Sequence, residues 1–507
     1  MGLATTLSVA LSGMDGQLIE VEAATGGGLP RTVLVGLPDT ALYEARDRCK
    51  AAVANSGGGW PQQLVTINLT PASIPKGGSH YDLAIVTAVL AATGAVEPER
   101  LQGWCFLGEL GLDGRVRPVS GLLAAVIAAA RLGIERVVVP AEQATEARLV
   151  SGIRAVGVSQ LTELITFLKG EGAPPDMPTI GTAPPDPGDH PVPDLADVRG
   201  QPEARWALEV AAAGRHHMFL HGPPGVGKTM LAERLPGLLP DLSESESLEV
   251  SAIHSMLGDP LHQLVRRPPY ADPHHSASPV SLVGGGARQI RPGSISRAHL
   301  GVLFLDEAAE FPGRALEQLR TPLESGRVVI ARASQQVIYP ARFQLVLAAN
   351  PCPCGLAGQR GGQCRCTPIA VRRYAERLSG PILDRIDIHQ QLVPQPRAIA
   401  ADEQPECSAT VAQRVGEARE RQEHRLRGTG WRTNSEVPGP YLRNHLPLPT
   451  GLQVVDRAVR VGQLSARGLD KVWRLAWTLA DLAGVDVPGP AEVRQALGLR
   501  RAEEEAA

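Results

Sequence analysis

The 507-residue sequence predicts a multidomain α/β protein. It divides into a mixed α+β region over residues 1–170, a parallel-sheet domain over 194–395, and a helical region over 396–507. Three observations predict this. Residues 218–230, Met-Phe-Leu-His-Gly-Pro-Pro-Gly-Val-Gly-Lys-Thr-Met, place a short apolar run, a glycine loop and a helix-compatible segment in direct succession. Residues 171–193 hold Pro174, Pro175, Pro178, Pro184, Pro185, Pro187, Pro191 and Pro193 among Asp and Gly, which can neither pack a core nor form a helix. That stretch reads as a semi-rigid tether. Near the far end, Val472, Leu475, Ala476, Leu479 and Leu482 recur at helical spacing.

Composition narrows the classes. Hydrophobic content of 43% and charged content of 20% are those of a soluble globular chain. A net charge of −3 excludes a global basic field, so contact with nucleic acid would need a local patch or a pore. Seven cysteines in this length do not make a secreted disulfide scaffold and point to the cytoplasm. The bias of arginine over lysine suggests a GC-rich genome. The apolar run Leu122–Ala130 is halted by Arg131, far short of the ~20 residues a membrane span needs. The N-terminus lacks a basic n-region, which excludes a signal peptide, and its loose myristoylation match has no second anchoring signal.

In the first region, Leu7-x-Val9-x-Leu11, Leu18–Val21, Thr32–Val35, Val65–Leu69 and Arg136–Val139 read as strands, and 40–55, Asp82–Thr93 and Leu122–Leu132 as helices. Within it stand Ile74-Pro75-Lys76-Gly77-Gly78-Ser79 and Gly108-Glu109-Leu110-x-Leu112-x-Gly114-Arg115-Val116-x-Pro118-Val119-x-Gly121. These motifs resemble the proteolytic domain of Lon proteases, which implies a ribosomal S5 domain 2-like fold. In that family a serine follows the Pro-Lys-x-Gly turn and a lysine follows the second motif. Here those positions fall on His80 and Leu123, and leucine cannot take a proton. Ser79 is one residue off and would lack a base. The expectation is a proteolytically inactive domain serving binding or assembly, with Lys76 and His80 as ordinary turn residues.

In the second region, Val198–Ala213 reads as a helix leading into the strand Met218–Leu220. The loop Gly222-Pro223-Pro224-Gly225-Val226-Gly227-Lys228-Thr229 follows, then Met230 and a helix to Leu235. Glycines allow sharp backbone turns, so successive N–H groups and the helix start point at one spot, a cradle for phosphates. Lys228 is expected to reach the β and γ phosphates of ATP, and the Thr229 hydroxyl to help hold Mg²⁺. Only five lysines occur in the chain, so a lysine here is no accident of composition. A second apolar run, Val302–Leu305, ends in Asp306 and Glu307. Asp306 would hold Mg²⁺ and Glu307 would polarise the attacking water. A third, Leu345–Ala349, ends in Asn350, whose amide could orient that water.

Ser379-Gly380-Pro381-Ile382-Leu383-Asp384-Arg385-Ile386-Asp387 resembles the arginine-finger segment of ring-forming AAA+ ATPases. That resemblance implies that Arg385 reaches the nucleotide of a neighbouring subunit. Between the two nucleotide motifs lie Asp272-Pro273-His274-His275-Ser276 and Gly284-Gly285-Gly286-x-Arg288-x-Ile290-Arg291-Pro292-Gly293. They look like the helix-2 insertion of the magnesium-chelatase and helicase branch of AAA+ proteins. The stretch Pro322–Ile330 turning towards Gln336–Ile338 looks like that branch's hairpin. Both project into the ring pore in that branch, where Arg288 and Arg291 could touch phosphates; a mobile loop with solvated arginines is the alternative. His274 and His275 lack a third metal ligand at sensible spacing and are read as structural. Asp241 and Ser243 read as caps of the next helix, with Glu246 three residues after Ser243.

Cys352, Cys354, Cys364 and Cys366 form Cys-x-Cys pairs directly after Asn350. Four thiolates can close a tetrahedral structural Zn²⁺ site, although Cys-x-Cys is tighter than the usual spacing; free thiols or a redox pair are the alternatives. In the third region, Thr410–Arg427 reads as a charged helix whose interleaved Arg and Glu form a solvated face rather than a DNA patch. Ser465-Ala466-Arg467-Gly468 opens a helix through Ala483, and another follows Pro490. These helices resemble the lid of an AAA+ module, which makes Arg467 the candidate sensor-2 arginine beside the nucleotide. Taken together, the motifs resemble the YifB/ComM family over nearly the whole chain. The resemblance implies a bacterial homohexameric ATPase acting on branched or single-stranded DNA in recombination and natural transformation. A magnesium-chelatase- or MoxR-type remodeller of a protein partner is the competing expectation.

Overall fold

A computed structural model describes residues 2–36, 40–73, 76, 78–171, 193–286, 290–332, 336–358, 364–378, 380–394, 404–460 and 464–501. The body of the tether, 172–192, lies outside the described residues, as do Ile74, Pro75, Gly77, Arg288, Gly361, Gly362 and Ser379.

The N-terminal domain comprises β1 (Leu3–Ser12), β2 (Asp15–Gly26), β3 (Arg31–Val35), α1 (Thr40–Asn55), β4 (Leu64–Thr70), α2 (Asp82–Ala92), β5 (Trp104–Phe106), β6 (Glu109–Leu110), β7 (Val116–Arg117), α3 (Leu122–Arg131), β8 (Arg136–Pro140), α4 (Ala144–Ala147), β9 (Arg154–Val158) and α5 (Leu161–Lys169). Seven strands form one sheet in the order β3-β4-β2-β1-β5-β8-β9. The β1–β2 and β2–β4 pairs are antiparallel, and the β1–β5, β5–β8 and β8–β9 pairs are parallel. Alternation along each strand feeds two cores, one on each face. Val138 packs with α1, α2 and α5, whereas Val137 and Val139 pack with α3 and α4. Helix α2 is buried along its whole length, which explains why its sequence is apolar all round.

Lys76 and His80 are not ordinary turn residues. Lys76 is 1% exposed and donates from Nζ to the carbonyls of Gly36 and Pro71. His80 Nε2 lies 2.9 Å from the Val9 carbonyl, and burial pushes its imidazole down to about 4. Ser79 donates to Glu109, so it does have a carboxylate partner. Lys76 and His80 are tied to the strands around them, a task that sequence spacing did not reveal.

The central domain comprises α6 (Pro202–Gly214), β10 (Met218–His221), α7 (Lys228–Arg234), α8 (Glu244–Leu257), β11 (Tyr270–Ala271), α9 (Pro279–Val283), β12 (Gly284–Gly285), β13 (Arg291–Pro292), α10 (Ser294–Arg297), β14 (Val302–Leu305), α11 (Gly313–Glu317), α12 (Arg320–Ser325), β15 (Arg327–Ala331), β16 (Gln336–Pro340), β17 (Gln344–Ala349), α13 (Pro368–Ala375), α14 (Gly380–Leu383) and β18 (Ile388–Gln391). Its five-stranded sheet is parallel, in the order β11-β14-β17-β10-β18. Two hairpins, β12–β13 and β15–β16, stand apart from it. Helix α6 starts at Pro202, later than the apolar pattern suggested. Gly200 takes a φ of 72° and proline at the first helical position sets the start. Ser243 caps α8 in a capping box with Glu246, as its spacing predicted.

The C-terminal helices are α15 (Ser408–Arg425), α16 (Gly439–His445), α17 (Gln453–Arg460), α18 (Ala466–Ala483) and α19 (Pro490–Arg501). Helix α15 has a solvated face and, opposite it, a buried one. Val411, Val415, Ala418 and Gln422 form a buried stripe in the core shared with α6 and α18. Arg414 pairs with Glu209, and Arg419 donates to the Ala212 carbonyl. Burial pushes the Arg419 guanidinium down to about 9. Charge frequency hid this stripe because arginine stems cover apolar surface while their heads find partners.

The first two domains share an interface. Ala124 of α3 packs with Ala252 and Met256 of α8, Ile290, and Val337 and Tyr339 of β16. The Gly121 N–H donates to the Ser255 carbonyl, and the Leu123 N–H is shared by Ser255 Oγ and Glu146. At the β1–β2 turn, a Cβ on Gly13 would lie 2.5 Å from the Ile338 carbonyl. Among the described residues, no helix is long and apolar enough to cross a membrane.

Candidate nucleotide-binding site

The glycine loop sits at the carboxyl end of β10, between β17 and β18, where a parallel sheet offers its ligand crevice. Gly222 must be glycine: a Cβ there would lie 2.5 Å from the Leu392 carbonyl. Gly225 and Gly227 take φ values of 80° and 94°, which turn the chain into α7. Val226 is half-buried, and Gln201, a residue the motifs did not flag, reaches both its carbonyl and that of Val393. Pro224 and Met230 lie on the exposed side.

Lys228 is 8% exposed. Its Nζ donates to the Gly222 carbonyl at 2.7 Å, the Pro223 carbonyl at 2.9 Å and Asn350 Oδ1 at 2.9 Å. Burial pushes this ammonium below its ordinary value, while Asp306 and Glu307 pull it back up. Asn350 stands at the end of β17, the strand between those carrying the loop and the acids. Thr229 Oγ1 donates to Asp306 Oδ2 at 2.8 Å. These two hard oxygen donors converge, so the residues present fit a Mg²⁺ ion. Five residues taken from three separate stretches of sequence thus meet at one end of the sheet.

Glu307 has a φ of 49°, a left-handed conformation that a non-glycine residue adopts at a cost of about 1–3 kcal/mol. Its carboxylate lies 3.1 Å from His275 Nδ1. His275 was read as structural; instead it touches the acid. The offset that pairs Tyr270 with Val302 and Ala271 with Leu303 also carries His275 to Glu307. Nothing in the sequence reveals which strand neighbours β14, so the contact was not visible there.

Arg385 and Arg467 make their printed contacts around the α14 segment rather than with residues of the loop. Arg385 donates to Glu324 Oε1 and to the Pro381 carbonyl, and is largely covered. Arg467 is exposed, 3.4 Å from Asp384 Oδ2. The described part of the insertion is the β12–β13 hairpin, with Arg291 exposed at its second strand.

The four clustered cysteines do come together. Cys352 Sγ lies 3.4 Å from Cys354 Sγ and 3.8 Å from Cys364 Sγ, and all four sulfurs, Cys366 included, fall within 4.8 Å of one another. Cys49, Cys105 and Cys407 are free cysteines elsewhere.

Comparison with known proteins places this arrangement. The family model "Magnesium chelatase, subunit ChlI" matches residues 194–399, "Subunit ChlI of Mg-chelatase" matches 20–143, and "Magnesium chelatase, subunit ChlI C-terminal" matches 405–500. The chain is 40% identical to the protein YifB of Escherichia coli over 99% of its own length and 97% of that protein. It is 37% identical to the competence protein ComM of Haemophilus influenzae, covering 99% and 98% of the two chains. The chain belongs to the YifB/ComM family of magnesium-chelatase-like proteins. An uncharacterized protein of Mycobacterium tuberculosis is 51% identical over 99% of both chains. Unlike a match confined to the central domain, these similarities run from the N-terminal sheet through the C-terminal helices of this YifB/ComM member.

Proposed function

We propose that this protein is an AAA+ ATPase that converts ATP and water to ADP and phosphate and works as a homohexameric ring. The observation that carries the reading is the convergence of Lys228, Thr229, Asp306, Glu307 and Asn350 at the end of one parallel sheet. In this reading the N–H groups of Gly222–Gly227 and the Lys228 ammonium bind the triphosphate. Thr229 and Asp306 would hold Mg²⁺, which would supply charge neutralisation to the triphosphate. Glu307 takes the proton of the attacking water and Asn350 orients that water. Arg385 serves the site of the adjacent subunit, and Arg467 supports the same shared edge from the lid. Cys352, Cys354, Cys364 and Cys366 carry a structural Zn²⁺. The N-terminal domain is a Lon-type fold without proteolytic chemistry.

The substrate of the motor is branched or single-stranded DNA held in the ring pore. The full-length similarity to a protein named for competence supports this assignment. Branch migration during recombination and natural transformation is the corresponding activity. ATP hydrolysis measured with and without forked or four-way DNA tests it, with Lys228→Ala as the control. Stimulation by DNA together with strand displacement is expected. Hydrolysis indifferent to DNA, with no displacement, would transfer the reading to a chelatase-like remodeller of a protein partner.

A further inference from the structure

The sulfur cluster and the glycine loop are in direct contact. A Cβ on Gly355 would lie 2.5 Å from Cδ and 3.0 Å from Cγ of Pro224. Gly355 takes a φ of 78° and its N–H donates to the Cys352 carbonyl at 2.9 Å, closing the turn that brings Cys354 back to Cys352. Asn350, two residues before Cys352, accepts from Lys228. The knot therefore holds the loop at two points: through Gly355 on Pro224 and through Asn350 on Lys228. Among the described residues, little else on this side of the loop does so. Pro224 and Gly225 are exposed, and Cβ positions at Gly225 and Gly227 have no atoms within 4 Å.

The sulfur geometry indicates what holds the knot closed. The Cys352–Cys354, Cys352–Cys364 and Cys354–Cys364 separations are 3.4, 3.8 and 3.6 Å. A disulfide requires about 2.05 Å, and all four are free cysteines. Tetrahedral sulfur ligands at the Zn–S distance of about 2.3 Å are roughly 3.8 Å apart. Cys352, 0% exposed, also accepts the Ala357 N–H at 3.3 Å, as a metal-bound thiolate would. Four soft donors in this arrangement select zinc over the hard ion of the nucleotide site.

We propose that a Zn²⁺ ion bound by Cys352, Cys354, Cys364 and Cys366 braces the phosphate loop through Gly355 and Asn350, so that nucleotide affinity depends on this second metal. The proposal rests on the nucleotide-binding reading of Gly222–Thr229. Without the ion, four thiols must find other partners in a short loop, and the wall against Pro224 loosens. Ordering the loop then falls to the nucleotide itself, which weakens its binding.

The test uses the full-length protein. Metal analysis should give one zinc per chain, and Co²⁺ exchanged into the site should show thiolate charge-transfer absorption. Binding of a fluorescent ATP analogue is then compared before and after stripping the zinc with a thiol-directed reagent, chelation and reduction. Stripping should weaken binding at least tenfold, and returning Zn²⁺ should restore it. Gly355→Ala should retain one zinc yet weaken binding severalfold, which separates the seat from the metal; circular dichroism establishes that it is folded. Iron in place of zinc, or no metal and no Co²⁺ spectrum, overturns the site. Zinc present with binding unchanged within twofold after stripping overturns the brace. Unchanged binding in Lys228→Ala would instead overturn the underlying nucleotide reading.

Discussion

Replacing Lys471 with methionine removes the ammonium that ties the C-terminal helices to the parallel-sheet domain. Lys471 on α18 and Asp387, just before β18, are both buried, with Nζ 2.9 Å from Oδ1. The other carboxylate oxygen accepts the His217 N–H at 2.9 Å, and His216 Nδ1 lies 3.7 Å away. Burial alone would push the Asp387 carboxyl up, but Lys471 and His216 outweigh it and hold the group well below its ordinary value. Methionine fills much of the same volume, so the loss is electrostatic rather than a cavity. Stranding one buried charge costs about 3–5 kcal/mol. Asp387→Asn alone should cost a similar amount by stranding Lys471, and the two changes together should recover most of it. Urea unfolding of the full chain, followed by tryptophan fluorescence from Trp473 and Trp477 on the same helix, measures all three. The stability contributed by Asp387 is fully present above the unfolded carboxylate pKa of about 3.9 and is lost as pH falls through the lower folded value. In Lys471→Met that acid-side loss should shrink. A cost under about 1 kcal/mol, or a double variant as unstable as the sum of the singles, would refute the reasoning.

Three further outcomes are expected. Glu307→Gln should retain ATP binding while kcat falls about 10²–10⁴-fold, the usual contribution of a general base; single-turnover assays distinguish this from lost binding. His275→Ala should raise basal hydrolysis by freeing the Glu307 carboxylate. The pair is partly exposed and worth at most about 1 kcal/mol, so the rise should not exceed about fivefold; a fall would make His275 a helper rather than a restraint. Arg385→Ala should cost about 10³–10⁵ in turnover if it acts across a subunit boundary. Mixing it with Lys228→Ala protein should then restore part of the activity, whereas an arginine acting within its own chain allows no such complementation.

Local order carried much of this architecture into view. Helix α1 occupies the residues its composition suggested, and the strands bearing the loop, the two acids and Asn350 end where their apolar runs end. Ser243 and Glu246 were legible because a capping box is a contact over three residues. The cysteines were legible as a group because their ligand atoms come from one short loop. What stayed hidden depends on contacts between distant segments. His275 meets Glu307 only because β11 lies beside β14. Lys76 looked like a turn lysine until two backbone carbonyls were brought around it. The buried stripe of α15 was masked by its arginines, whose partners lie on α6 and α18.

The seam between the N-terminal sheet and the central domain has a mechanical meaning. The sheet's β1–β2 turn rests on β16, while α3 is bonded to Ser255 near the end of α8. One domain thus touches two parts of the central domain that the chain itself joins only through a long excursion. It acts as a splint: the β15–β16 hairpin and α8 can travel together, but sliding one past the other breaks either the Gly13 contact or the Ser255 bonds. At Leu123, in the first turn of α3, the backbone N–H is one of the fastenings of that splint.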